Sequence, residues 1–292
     1  MNNLNSTYEV ILYEKERLLQ LIDSHFDIIQ NRSIFREFEQ NFFDKNFLME
    51  VLLSDLNIEQ NSLIFIHAGL KKLHYKTKFS YLKLTEQIIK ILNNSYKPNA
   101  IICPSFTPSF IKTGIFSVNY SKSEVGIFSE LFRKKAGYRT EDALHSVSIV
   151  SNNLEKFKEL NYDDTFGEDG LYAFLKNNKT YILNISTHNL IATQLHYIEQ
   201  KLSLPYKVEG IKYKGIIYDS NDNIKNKNQI NHKNKTGELI DKNKVLKYLI
   251  KSEKIHIKEY KDILISSIKC NDLFNVLSPK LKREPYFLVS YK

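Results

Sequence analysis

The chain has 292 residues, 42% of them hydrophobic and 12% aromatic, which suits one large domain or two modest ones and excludes a disordered chain. Its formal charge is +9, and only six of its 42 basic residues are arginine. No apolar run approaches the ~18 residues of a membrane span.

The N-terminus, MNNLNSTYEV, lacks a basic region followed by an apolar stretch, so no signal peptide is expected. The two cysteines, Cys103 and Cys270, are too few for a disulfide scaffold and have no metal-site spacing. A cytoplasmic protein without a metal is the expectation. Between Lys201 and Cys270 lysines outnumber acidic residues 16 to 8. Such a stripe suits nucleic acid or an anionic surface, but a lysine-rich solvated surface explains it equally, and nucleic acid is not the expected partner.

Residues 9–60 carry helical periodicity: Leu18, Leu19, Leu21, Ile22, Phe26 and Ile29, then Phe47, Leu48, Val51, Leu52 and Leu56. We read 1–44 as a helical arm, serving core packing or a homodimer contact, and 45–292 as one domain. Ser62 to His67 is a fully apolar run, as expected of a strand buried on both faces. A helix around Phe79–Asn93 and a second buried strand, Ala100 to Cys103, complete a strand–helix–strand unit and so imply a parallel sheet. The loop Pro104-Ser105-Phe106-Thr107-Pro108 presents hydroxyls at a strand end. Ser121 to Gly126 precedes a helix through Val125, Phe128, Leu131 and Phe132, whose open N-terminus suits a phosphate. Arg133 and Arg139 suit bidentate binding of an anion or a surface salt bridge.

His145-Ser146 leads into an apolar strand, Val147 to Val150. A short helix, Leu154 to Leu160, is followed by the acidic turn Gly167-Glu168-Asp169-Gly170 and a helix over Leu171–Asn177. The strand Tyr181 to Ile185 then feeds a polar turn and a helix carrying Thr193, His196 and Glu199. Residues three apart share a helical face, so a hydroxyl, an imidazole and a carboxylate converge just past a strand end, where open α/β sheets bind ligands. Beyond Tyr206, Ile211 to Tyr218 alternates like a half-exposed strand. Asp219 to Thr236 reads as a polar loop, and Asp241–Ile250 and Tyr260–Val276 read as amphipathic helices.

GxGxxG, P-loop, GxSxG and HExxH motifs are absent from the sequence. Cys103 with His145 or His196 as base is one nucleophilic reading, set against the general inertness of buried cysteines. A histidine with hydroxyls and carboxylates but no evident protein nucleophile suits general-base catalysis on a bound substrate.

The ordered motifs Phe65-Ile66-His67-Ala68-Gly69-Leu70, Pro104-Ser105-Phe106-Thr107, Ser121-x-Ser123-x-Val125-Gly126 with Phe132-Arg133, Arg139-Thr140 through His145-Ser146, Phe166-Gly167-Glu168 and Thr193-x-x-His196-x-x-Glu199 resemble the aminoglycoside 3-N-acetyltransferase family over roughly residues 45–275. Leu204-Pro205-Tyr206-Lys207, followed by Lys212-x-Lys214-Gly215, is most similar to the branch found with surface-polysaccharide genes. The resemblance implies a three-layer α/β/α sandwich around a mostly parallel sheet, with acetyl-CoA as donor and no metal. It implies that His196 is the general base, Glu199 its partner and Thr193 a residue that holds the site. His67, Ala68, Gly69, Leu70, Ser105, Thr107, Ser121, Ser123, Val125, Gly126 and Arg133 would meet acetyl-CoA; His145, Glu168 and Asp169 would face the acceptor. Ala68-Gly69 stands where the family usually has serine, which leaves backbone N–H groups to serve the thioester oxygen. The acceptor expected is an amino sugar, such as a sugar nucleotide for polysaccharide. An aminoglycoside antibiotic is the alternative, and a non-catalytic nucleic-acid-binding protein is the alternative of another class.

Overall fold

The computed structural model describes residues 49–50, 52–187, 189–208, 210–235, 238–260 and 262–291. The arm expected at 1–44, with Phe47, Leu48 and Val51, lies outside them, while Leu52 and Leu56 are buried.

In chain order the first half contains β1 (Leu63–Ala68), α1 (Leu70–Thr77), α2 (Tyr81–Tyr96), β2 (Ala100–Pro104), α3 (Phe110–Thr113), β3 (Ile115–Ser117), α4 (Ile127–Lys135), β4 (Tyr138–Arg139) and β5 (Val147–Ser151). There follow α5 (Glu155–Lys158), α6 (Leu171–Asn177), β6 (Thr180–Ile185), α7 (Gln194–Lys201), β7 (Ile211–Tyr218), β8 (Ile224–Asn231) and β9 (Glu238–Ile240). The chain closes with α8 (Lys242–Lys251), β10 (Ile255–Tyr260), β11 (Ile263–Lys269), α9 (Cys270–Arg283) and β12 (Val289–Tyr291).

A seven-stranded sheet in the order β10-β11-β6-β1-β2-β5-β4 forms the middle layer. Side chains alternate across a strand, so Leu63 and Phe65 of β1 join one core while Ile64 and Ile66 join the other. That double burial is why the run is apolar throughout. Helices α6 to α9 cover the first face and α1, α2 and α4 the second. In α2, Leu84, Ile88, Ile91 and Leu92 make one buried stripe at helical spacing, and Ser80 caps the helix by accepting from Lys83 N. The parallel part of the sheet is the central trio: β1 runs parallel to both β2 and β6, while β5, β4, β11 and β10 pair antiparallel.

Two sequence expectations are overturned. Within the stretch read as a loop, Ile224–Asn231 forms β8, which pairs antiparallel with β7 over eight residues, and β3 joins β7 in parallel to complete a small second sheet. The residues that β8 buries are Lys227 and Gln229, so its alternation carries no hydrophobic signal. Lys227 pairs with Asp163 at 2.6 Å, and Gln229 accepts from Ala143 N and donates to Asp163 O. Tyr260–Val276 is not one helix: its first part is β11, wedged between β6 and β10. Ile263 and Ile265 enter one core and Ile268 the other, a period-two pattern that the following helix conceals.

Candidate active site

The chain moves from β1 to β2 on one side and returns to β6 on the other, so the C-terminal ends of β1 and β6 flank a topological switch point, where a crevice opens. A cleft of about 580 Å³ lies there, lined by His67 and Ala68 at the end of β1, Pro104 at the end of β2 and Ser186 after β6. Three helices begin on it. Gly69 and Leu70 start α1, Gly126 and Ile127 start α4, and Thr193 precedes α7. Open N–H groups at such ends favour anions and carbonyl oxygens. Gly69 is required by space: a Cβ there would meet Ser186 O at 2.5 Å. Its own N–H donates to Ile185 O at 2.8 Å.

Of the residues expected at the acetyl-CoA, His67, Ala68, Gly69, Leu70, Val125 and Gly126 line this cleft. Burial pushes the His67 imidazole down to about 3, helped by the charge of Lys242, so the ring is neutral; its Nε2 has no partner among the described residues. Ser186 Oγ on the same wall also has none.

Ser105 and Thr107 lie behind the wall. Ser105 Oγ accepts from Ser148 and donates to Ser146 O, and Thr107 Oγ1 donates to Lys122 O. Ser121 Oγ accepts from Ser117 N, and Ser123 N donates to Glu130. Arg133 spends its guanidinium on Glu130, at 2.8 and 2.9 Å, and on Asn119 O.

Arg139 is neither an anion ligand nor a surface ion pair. It is 4% exposed and donates to Ser146 Oγ, Val118 O, Ser121 O, Ser105 O and Thr107 Oγ1, with Phe116 against its face. Burial, with repulsion from Arg133, pushes it down to about 9.

One turn beyond Thr193, His196 Nδ1 lies 2.7 Å from Glu199 Oε2. Helix α7 buries Leu195, Tyr197, Ile198 and Glu199, while His196 stays open to solvent, its side chain 37% exposed. Glu199 Oε1 accepts from the Tyr206 hydroxyl at 2.8 Å, and Oε2 also accepts from Lys207 Nζ at 3.2 Å. Burial alone would raise the Glu199 carboxyl; His196, Lys207 and Tyr206 outweigh it, so the net shift is downward. The carboxylate therefore stands ionised.

Phe166, stacked on Tyr172, is surrounded by three imidazoles at ring distances of 4.9 Å (His145), 6.1 Å (His196) and 6.2 Å (His232). His145 also meets Phe106, a residue of the cleft, so cleft and dyad adjoin. Burial pushes His145 down to about 3, with the charges of His196 and His232 acting the same way, and its Nδ1 has no partner among the described residues. Glu168 and Asp169 are exposed and apart from this cluster, Glu168 bonded to Lys201 and Asp169 to Asn161. The acid that joins the cluster is Asp164, whose Oδ1 lies 3.0 Å from His232 Nε2.

Sequence reasoning missed Asp164, Tyr206, Lys207 and His232 as members of the site. Tyr206 and Lys207 stand in the Leu-Pro-Tyr-Lys motif, but His232 lies in the segment read as loop.

Cys103 is buried in β2, and burial pushes its thiol up to about 12 despite a contact with Ser129. Of the basic C-terminal lysines, Lys207, Lys227 and Lys258 are buried, while Lys225 and Lys269 pair with acids. Among the described residues no group of His, Cys, Asp and Glu is arranged to hold a metal ion, and no helix is long and apolar enough to cross a membrane.

No curated protein sequence matches the chain. Solved structures do: one described as AAC-IIIb in binary complex with CoASH (TM-score 0.65, 12% identity, 82% of this chain and 96% of that one) and YokD from Bacillus subtilis (0.64, 12%, 82% and 94%). A third, AAC-VIa with sisomicin bound, superposes at a TM-score of 0.62 with 12% identity over 82% of this chain and 98% of that one. At these identities the likeness establishes the fold. The sequence model of aminoglycoside 3-N-acetyltransferase matches residues 83–281, well over half of the chain and the whole of the site from Pro104 to Lys207. The chain therefore belongs to the aminoglycoside 3-N-acetyltransferase family and is an N-acetyltransferase.

Proposed function

We propose that the protein transfers the acetyl group of acetyl-CoA directly to the amino group of an amino sugar, with His196 as general base. The observation that carries this is the His196–Glu199 pair, an accessible imidazole backed by a buried carboxylate beside the cleft. With Nδ1–H held by the ionised Glu199, Nε2 is left with its lone pair, the tautomer that a base needs. The acceptor amine attacks the thioester carbonyl; the C–N bond forms, the C–S bond breaks and the CoA sulfur leaves. His196 Nε2 takes the proton from the amine and returns it to the thiolate.

The cleft suits such a donor: α1 and α4 begin on it, and His67 and Ser186 line it, their Nε2 and Oγ having no partner among the described residues. Lys71 and Lys242, which also line it, would meet the donor's phosphates. Thr193 stands at the start of α7 and lines the cleft.

For the acceptor, the one carboxylate that joins the imidazole cluster, Asp164, is already bound to His232, while the exposed Glu168 and Asp169 are bonded to Lys201 and Asn161. A polycation would need those groups, whereas an amino sugar bearing phosphate, such as a sugar nucleotide for surface polysaccharide, would not. The test is thiol release from acetyl-CoA with a panel of amino-sugar nucleotides and aminoglycosides, with His196→Ala in parallel. Release with a sugar nucleotide, lost in the variant, is expected. Faster turnover of kanamycin-like compounds would transfer the assignment to the antibiotics; neither release nor acetyl-CoA binding would end this reading altogether.

A further inference from the structure

Behind the dyad, residues 206–208 run antiparallel to 233–235. Val208 N donates to Lys233 O at 2.9 Å and Lys235 N to Tyr206 O at 2.8 Å, with a bridge between Lys207 and Asn234. This pairing turns the Lys207 side chain inward, 4% exposed, against the fully buried Glu199. An ammonium has three N–H donors. Those of Lys207 meet Glu199 Oε2 at 3.2 Å, His232 O at 3.2 Å and Asn234 Oδ1 at 3.0 Å. The Glu199 oxygen it reaches is the one that holds His196 Nδ1.

A buried carboxylate facing only an imidazole and a phenol keeps an extra proton within the pair to higher pH, whichever residue carries it. A base needs the other state, with the carboxylate ionised and the imidazole neutral. A fixed positive charge on the carboxylate favours that state. Among the described residues, the ionisable groups clustered with the His196 ring include His145, the Asp164–His232 pair and, bonded to the His145 N–H, Asp142. Asp164 is bonded to His232, so Lys207 is the charge bonded to the dyad itself.

We propose that Lys207 is a positioning residue of the reaction: its ammonium, anchored by His232 O and Asn234 Oδ1, is the countercharge that strips the His196–Glu199 pair of its extra proton near neutral pH. The inference rests on His196 being the base. It predicts that Lys207→Met shifts the acid limb of kcat/KM upward by about one pH unit. The rate below the limb then falls roughly tenfold, and the deficit closes as the pH rises. The KM for acetyl-CoA stays near that of the parent.

The decisive measurement pairs this pH profile with an NMR titration of the His196 ring nitrogens in both proteins. The dyad should hold its proton to higher pH in the variant. A loss that is constant across pH, or a titration that does not move, would reduce Lys207 to packing and overturn the proposal. If no acceptor supports acetyl transfer, the NMR titration still decides the role of Lys207, so the two readings fail separately. If Lys207→Met does not fold, Lys207→Met combined with Glu199→Gln removes both charges and is expected to fold. Failure of that double variant would assign Lys207 to holding segment 232–235 and likewise overturn the proposal.

Discussion

His196 Nδ1 and Glu199 Oε2 stand 2.7 Å apart on consecutive turns of one helix, the first side chain open to solvent and the second fully buried. That asymmetry separates their roles, since only His196 can reach a substrate. Removing the imidazole by His196→Ala should lower kcat by roughly 10²–10⁴. Glu199→Gln keeps the shape but not the charge and should cost less. Because the two act as a unit, the double variant should be no slower than His196→Ala alone. Steady-state thiol release checks this, and additive losses would show independent roles.

Cys103 separates direct transfer from a covalent acyl-enzyme. Its sulfur is buried in β2 and its thiol is pushed up to about 12, so almost no thiolate is present near neutrality. Cys103→Ser should retain activity within a few-fold, and iodoacetamide should not inactivate the native protein. Loss of turnover with an otherwise native melting curve would restore Cys103 as the nucleophile.

Asp142 couples the site to pH through stability. Burial raises its carboxyl to about 7, against lowering by the His145 N–H, Lys227 and the Leu144 N–H. The folded value lies above the unfolded one, so this group's contribution is full below about pH 4 and is lost as the pH rises through about 7. Asp142→Asn can keep the bonds from Leu144 N and His145 N. It should flatten that slope, which is at most roughly 1.4 kcal/mol per pH unit. Urea melts of both proteins between pH 4 and 8 measure it; parallel stability profiles would remove Asp142 from the account.

The central sheet was legible because double burial writes an unbroken apolar run, as in Leu63–Ile66, and helix α7 because three chemically distinct side chains recur every third position. Strand β8 was not, because it buries Lys227 and Gln229 and is held by polar bonds that leave no periodic apolar mark. The same blindness hid His232, which follows that strand. Ser105, Thr107 and Arg139 were visible as polar residues near strand ends. Whether such residues line a cleft or brace it from behind depends on partners far away in sequence.

Arg139 has one more consequence, and it concerns time. It binds Ser105 across 34 residues, Val118 across 21 and Ser121 across 18, so the wall between β2 and α4 is completed by a side chain brought in with the β4–β5 hairpin. Loop-closure entropy grows with separation, and these contacts are short-range beside the β1–β6 pairing, where Leu63 meets Thr180 across 117 residues (180 − 63). The wall is thus expected to close with the β4–β5 hairpin, before β6 docks beside β1. Pulse-labelled hydrogen exchange should show protection at residues 105–121 no earlier than at β5 and before β6, and protection there only after β6 would reverse the order.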